Sequence, residues 1–222
     1  MRFRLFAGVC VLAAAIPLLG AGGASAQPEV VTPNPNFAIT QQLVEITPRV
    51  VAKWSVPTDP SNRSSVAYLM MHPHNSYLDI APCTQMAQRG YPILCVNDRM
   101  VSGGGKSDDI IWDDIALDLK AAVDWLHKQP EVSNVVFIAY SGGGPIMSYY
   151  QTVAENGVGV CQDPDKFMPC GDALANMTPA NGIVLLESHV GYATTSGLLT
   201  NDPSVTEEDH TGFLTSNAID PS

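Results

Sequence analysis

A serine in a turn of small residues is the feature of this sequence best suited to chemistry. Residues 134–140 form a β-branched and aromatic run typical of a buried strand, and residues 141–145 read Ser-Gly-Gly-Gly-Pro. The proline can open a helix. Ala139 and Gly143, two positions on either side of Ser141, are small enough for the sharp strand-to-helix turn called a nucleophile elbow. Alanine here stands where the first glycine of that motif usually lies.

The turn predicts a serine nucleophile and one hydrogen-bond donor to the oxyanion that its attack would form. It would lift the Ser141 hydroxyl above the end of a sheet and leave the Gly142 amide facing a developing oxyanion. The alternative is a glycine-rich phosphate cradle containing an ordinary serine. A P-loop requires Lys and then Ser or Thr after its glycines, and neither follows here.

Other polar residues follow other predicted strands. Because parallel strands end at the same edge of a sheet, these residues should converge there. They are His74, Asn75, Asp98, Arg99, Ser141, Gly142, Glu187 and His189.

Strand and helix signals alternate along most of the chain. Apolar runs predict two antiparallel edge strands within 39–56 and further buried strands at 66–71, 91–96, 134–140 and 182–187. Helical spacing between them predicts helices at about 78–89, 112–126 and 145–156. This alternation predicts an α/β fold with a mainly parallel sheet and helices on both faces.

The amino terminus has the pattern of an export signal. Arg2 and Arg4 precede an apolar run, and Ala24-Ser25-Ala26 supplies a cleavage site, so residues 1–26 are predicted to be a removed signal peptide. A retained membrane anchor is disfavoured because the run is short and interrupted by proline and glycine. The predicted domains are a linker at 27–38, a core at 39–190 and the start of a cap or an irregular tail at 191–222.

The composition argues against nucleic acid as a partner. The chain has 22 acidic and 11 basic residues, and signal removal would take away two basic residues and no acidic ones. Such an acidic protein does not bind nucleic acid through its charge. We expect a secreted or periplasmic protein that does not associate with a membrane after signal cleavage.

Four cysteines would remain in the mature chain. An even number in an oxidising compartment suggests disulfides. Cys161 and Cys170 flank a polar loop, and we predict a bond between them. Cys95 lies in an apolar strand and can be a buried thiol, which leaves Cys83 unexplained.

The chain resembles the α/β-hydrolase superfamily. The resemblance is carried by Met71-His72-Pro73-His74 after the first parallel strand, by the elbow at 139–143 and by the βαβαβαβ order, over roughly residues 39–189. Secreted, esterase-like members with a cap after the sixth strand are the most similar.

The resemblance implies that the chain cleaves a carboxylic ester of a small molecule without a cofactor. Ser141 would attack the carbonyl, and a histidine would take its proton. The oxyanion would lie between the Gly142 amide and an amide near His74 or Asn75.

The acid and the base are not evident. In the family they usually follow the seventh and eighth strands, and the 35 residues after Glu187 are too few for two more βα units. The chain is therefore expected to be truncated, with both residues beyond Ser222. Alternatively, Glu187 is the acid and His210 the base. A simpler interpretation of Glu187 is a strand-end carboxylate bonded to backbone or to Arg99.

A non-catalytic binding or scaffold protein on the same fold is the rival hypothesis. A metal site at His72 and His74 is disfavoured because no third ligand is evident. The acidic residues from Asp108 to Asp118 are interpreted as a solvated helix start and face.

Overall fold

The structure is a computed structural model, and it describes residues 35–103, 111–164 and 168–191. The predicted signal peptide, most of the predicted linker, nearly all of 191–222, and His210 lie outside these ranges. The described residues belong to one compact unit that begins at Asn34. No helix within them is both long and apolar enough to cross a membrane.

Six strands form one sheet in the order β1-β2-β4-β3-β5-β6. They are β1 (Ile39–Thr47), β2 (Val50–Pro57), β3 (Val66–Met71), β4 (Ile93–Asn97), β5 (Asn134–Tyr140) and β6 (Gly182–Leu186). β2 is antiparallel to both of its neighbours, whereas β4, β3, β5 and β6 are parallel. The predicted α/β class and mainly parallel sheet are confirmed.

Helices cover both faces of this sheet. They are α1 (Pro82–Gln88), α2 (Arg99–Ser102), α3 (Trp112–Leu126) and α4 (Gly143–Asn156). Side chains alternate along each strand, so β3 sends Leu69 and Met71 into the core beneath α3 and α4 and sends Met70 into a smaller core beneath α1. The prediction of helices on two faces is therefore confirmed.

Two predictions about strand position are wrong. β2 is not an edge strand, because it lies between β1 and β4 and buries Val50, Ala52 and Trp54. β6 is not buried: within the described ranges it pairs only with β5, and Val184, Leu185 and Leu186 are 47–59% exposed. An apolar run of five residues reads the same at an edge as in the middle of a sheet.

The first helix is shorter than predicted, because it begins at Pro82 rather than near Leu78. Proline suits the first helical position, and Asp79 before it forms an ion pair with Lys53 on β2. Gly90, with φ of +97°, follows the helix as expected. The carboxyl end of the predicted linker is also ordered: the Phe37 amide donates to the carbonyl of Gln88.

All four described cysteines form disulfides. Cys161 is bonded to Cys170, as predicted. Cys95 is not a free thiol: it is bonded to Cys83, which fixes α1 against β4. No sequence pattern indicates a partner for Cys83, because this bond joins two elements that meet only in the folded protein.

The acidic segment is not simply a solvated face. Asp118 is buried on α3, and its carboxylate accepts two side-chain donors and the backbone N–H of Arg99. Asp114 also pairs with Arg99, and Asp113 accepts from the Tyr149 hydroxyl. Asp108 and Asp109 lie outside the described ranges.

Candidate active site

Ser141 occupies a strained turn between β5 and α4. Its φ is +52°, in the left-handed region that residues with side chains seldom adopt. Its amide donates to the Leu186 carbonyl at 3.2 Å, and its carbonyl accepts from the amides of Gly144 at 3.0 Å and His189 at 3.2 Å. The last residue of β6 and the segment after it therefore hold the backbone of Ser141 on both sides.

The three glycines allow this turn to pack against two other strand ends. A Cβ on Gly143 would lie 2.5 Å from the Met71 carbonyl oxygen at the end of β3. A Cβ on Gly144 would collide with the Ser188 side chain, which follows β6. The first turn of α4 can thus approach both neighbours only because these positions lack side chains.

The amide of Gly142 follows the serine directly and makes no hydrogen bond with another described residue. The amide of His74 is engaged, because it donates to Nδ1 of His72 at 3.0 Å. Asn75 is exposed in the same turn, and its amide has no partner among the described residues. Of the three predicted oxyanion donors, Gly142 and Asn75 therefore have available amides.

His72 lies beneath this turn with only 6% of its surface exposed. Its ring packs against those of Tyr77 and His74, with centroids 5.1 and 5.9 Å away. Burial, together with the nearby His74 and His189, lowers the pKa of His72 to about 4. His72 is consequently a neutral imidazole at neutral pH.

A buried network fixes the turn that carries His72 and His74. Asn97, at the end of β4, accepts from the Tyr77 amide at 2.9 Å and donates to the Ser76 hydroxyl at 2.9 Å. Burial, together with nearby Tyr140, raises the pKa of Tyr77 to about 12, so its hydroxyl stays protonated. The predicted convergence at the carboxyl ends of the strands thus includes Tyr77 and Asn97, whose part in it the sequence did not indicate.

Glu187 and Arg99 do not meet. Glu187 is exposed with φ of +45°, and no described residue bonds its carboxylate. Arg99 pairs instead with Asp114 and Asp118. The interpretation of Glu187 as a partner of Arg99 is therefore wrong, and its proposed partner His210 lies outside the described residues.

Among the residues that the structure describes, no histidine is hydrogen-bonded to the Ser141 side chain. His189 contacts the turn through its backbone, and its side chain is exposed. The same part of the chain contains no group of three His, Cys, Asp or Glu residues arranged to hold a metal ion.

No protein-family model and no curated protein matches the chain, but solved structures do. Siderophore hydrolase EstB from Aspergillus fumigatus is 12% identical with a TM-score of 0.41, over 68% of this chain and 43% of its own. A Klebsiella pneumoniae protein described as a dienelactone hydrolase is 13% identical with a TM-score of 0.43. The match covers 78% of this chain and 94% of the Klebsiella chain. Hypothetical protein PA2218 from Pseudomonas aeruginosa is 21% identical with a TM-score of 0.48, over 80% and 52%.

The chain thus spans less than two thirds of the EstB and PA2218 chains. It has a mainly parallel sheet covered on both faces, and a strained serine turn leads from β5 into α4 beside the end of β3. At the level of the fold the expectation is confirmed: the chain has the predicted α/β architecture with a mainly parallel sheet, and its serine turn lies between β5 and α4, as the resemblance implied.

Proposed function

We propose that the chain is an exported serine hydrolase that cleaves a carboxylic ester of a small molecule through an acyl-enzyme on Ser141. The Ser141 hydroxyl attacks the ester carbonyl, and a base takes its proton. The amides of Gly142 and Asn75 bind the oxyanion that forms. Each well-placed donor of this kind is typically worth about 3 kcal/mol in the transition state.

The observation that carries this proposal is the backbone of Ser141. A serine with φ of +52° is costly, and such strain persists where the surrounding structure requires it. Here the turn leaves the Ser141 side chain without a described hydrogen-bond partner and the following amide unbonded. Both features suit a nucleophile beside an oxyanion site.

Export is supported by two independent features. The sequence begins with basic residues, an apolar run and a small-residue cleavage pattern. The four described cysteines form two disulfides, which persist in oxidising compartments.

A fluorophosphonate probe tests the proposal, because it phosphonylates an activated serine. We expect the folded protein to be labelled on the peptide that contains Ser141, and the Ser141→Ala variant to remain unlabelled. Ser148→Ala, which removes a half-buried hydroxyl from α4, is the matched control and should react at the wild-type rate. Absence of labelling in the folded wild-type protein, or labelling at another serine, would contradict the proposal.

The rival function is a non-catalytic binding or scaffold protein. It is favoured by one observation: within the described residues no histidine bonds Ser141 and no group bonds the Glu187 carboxylate. The pair Glu187 and His210 remains our candidate acid and base. Labelling that is lost in His210→Ala would support this assignment, whereas a protein that is not labelled at all would favour the rival.

A further inference from the structure

The ring of His72 has a defined orientation and a defined proton. Its Nδ1 accepts the His74 amide at 3.0 Å, so the lone pair of that nitrogen is occupied. A neutral imidazole carries one N–H, and it must therefore be on Nε2. No described residue accepts a hydrogen bond from Nε2, and although His72 is more than nine-tenths buried overall, this atom is not one of the fully buried unpaired atoms and so keeps contact with solvent.

This unpartnered N–H lies against the residue after the nucleophile. A Cβ on Gly142 would be 2.8 Å from Nε2 and 3.1 Å from Cε1 of His72. The Nε2 edge of the ring therefore touches the peptide whose amide is proposed to bind the oxyanion. The side-chain donor of His72 therefore lies beside the residue that supplies the backbone donor.

The same geometry excludes His72 as the base for Ser141. The nitrogen that faces Gly142 already bears a proton, and the other nitrogen is bonded within its own turn. Burial and the neighbouring His74 and His189 hold the pKa of His72 near 4, so the ring stays uncharged at neutral pH. A neutral imidazole of this kind can donate a hydrogen bond without losing its proton.

We propose that His72 is a catalytic residue, whose Nε2–H donates to the oxyanion formed when Ser141 attacks the ester carbonyl. This inference rests on the proposed function. As the bond from Ser141 Oγ to the carbonyl carbon forms, the carbonyl π electrons move to oxygen, and Nε2–H and the Gly142 amide bind that oxygen. When the intermediate collapses, the C=O bond reforms, the C–O bond to the alcohol breaks, and the alcohol leaves with the proton that the base took from Ser141, while His72 neither gains nor loses a proton.

Two substitutions separate the functions of the two ring nitrogens. Asparagine in His72→Asn places an oxygen near Nδ1, where it can still accept the His74 amide, but nothing at Nε2. Glutamine in His72→Gln can place an amide N–H near the position of Nε2. With p-nitrophenyl butyrate as substrate, we expect His72→Asn to lower kcat by about 10²–10³-fold with little change in KM. His72→Gln should recover part of this loss.

Three further readouts distinguish donation from a structural role. The rate of fluorophosphonate labelling should fall in parallel with kcat, because phosphonylation also builds negative charge on oxygen. The apparent pKa values of the kcat/KM profile should not move in His72→Asn, since His72 is not the base. The melting temperature of His72→Asn should remain close to that of the wild type.

Nitrogen-15 NMR of the histidines in the wild-type protein tests the geometry without relying on activity. We expect His72 to carry its proton on Nε2 and not to titrate between pH 5.5 and 8. A proton on Nδ1, a titration near 6.5, or a His72→Asn variant that reacts as fast as the wild type would overturn the inference alone. A wild-type protein that the probe does not label would overturn the proposed function, and this inference with it.

Discussion

Asp98 is a buried carboxylate with one oxygen satisfied and one not. It follows β4, and its Oδ1 accepts from the amides of Met100 and Val101. Its Oδ2 is buried and has no hydrogen-bond partner within the described part of the chain. Burial, with a smaller contribution from Asp118, raises the pKa of Asp98 to about 6 against the opposing effect of the two amides and of Arg99.

This raised pKa predicts that Asp98 gives a pH-dependent contribution to stability. The folded state binds the proton more tightly than the unfolded chain, whose Asp98 has a pKa of 3.8, so this contribution grows as pH falls through 6. Relative to Asp98→Asn, the wild-type protein should gain about 1 kcal/mol of unfolding free energy between pH 8 and pH 5. Urea unfolding at a series of pH values measures this difference.

Asp59→Asn is the control for that experiment. Asp59 is an exposed residue that caps the short 3-10 helix Pro60–Asn62. Its pKa is lowered because its carboxylate accepts hydrogen bonds from the backbone N–H and the hydroxyl of Ser61. Its contribution is lost only as pH falls below 3.8, so its difference from the wild type should be flat between pH 5 and 8. Parallel pH curves for Asp98→Asn and the wild type would contradict the interpretation of Asp98.

Among the residues of the site, Ser141 was predictable and the environment of His72 was not. A serine between small residues after an apolar run predicts a strained strand-to-helix turn at that serine, because few sequences tolerate such a turn. The ring of His72 meets Gly142, seventy positions later in the sequence, only through the pairing of β3 with β5. No local pattern encodes that contact.

At the level of elements, α3 is attached to the end of β4 through one arginine. Asp118 lies in the middle of α3, and its buried carboxylate receives Nε, Nη2 and the backbone N–H of Arg99. Asp114, one turn earlier, makes a single ion pair with the same arginine, and its side chain is 41% exposed. Asp118 and Asp114 therefore both pair with Arg99, but the first carboxylate is buried and the second is exposed.

Removing each acid should have a different effect. Asp118→Ala leaves the largely buried Arg99 guanidinium with only its exposed partner, and we expect it to lower the unfolding free energy by about 3 kcal/mol. Asp114→Ala should cost less than about 1 kcal/mol, because an exposed ion pair contributes little. Chemical denaturation of the two variants measures both values, and equal losses would show that burial does not govern this junction.

The positions of helices and strands were predictable where the local pattern of apolar residues determines them. The strand at 66–71 and the helix at 112–126 lie where their apolar patterns indicated. The exposure of β6 and the disulfide between Cys83 and Cys95 were missed because both depend on which elements become neighbours. Sequence periodicity reports which face is apolar and not what covers it.

At the scale of the whole molecule, β6 is an exposed apolar edge of the sheet that the described residues form. Val184, Leu185 and Leu186 are consecutive, so both faces of this strand are exposed. An exposed apolar edge strand favours pairing with another chain. The net charge of −11 for the full sequence opposes such contact at low salt.

We therefore expect concentration-dependent association that strengthens in 0.5 M salt, where charge repulsion is screened. Leu185→Lys should weaken it, because a charge on an edge strand disfavours pairing. Leu43→Lys is the matched control: Leu43 is 66% exposed on β1, at the other edge of the sheet. Sedimentation velocity measures the effect, and a wild-type protein that is monomeric at every concentration would contradict it.

Two of the three backbone hydrogen bonds of Ser141 join it to Leu186, the last residue of this edge strand, and to His189, just beyond the strand. A neighbouring chain or a crosslink that binds this edge strand would therefore displace the peptide groups on either side of the reactive hydroxyl. A movement of the edge strand would be transmitted to Ser141 directly through these two backbone hydrogen bonds, because no side chain lies between them.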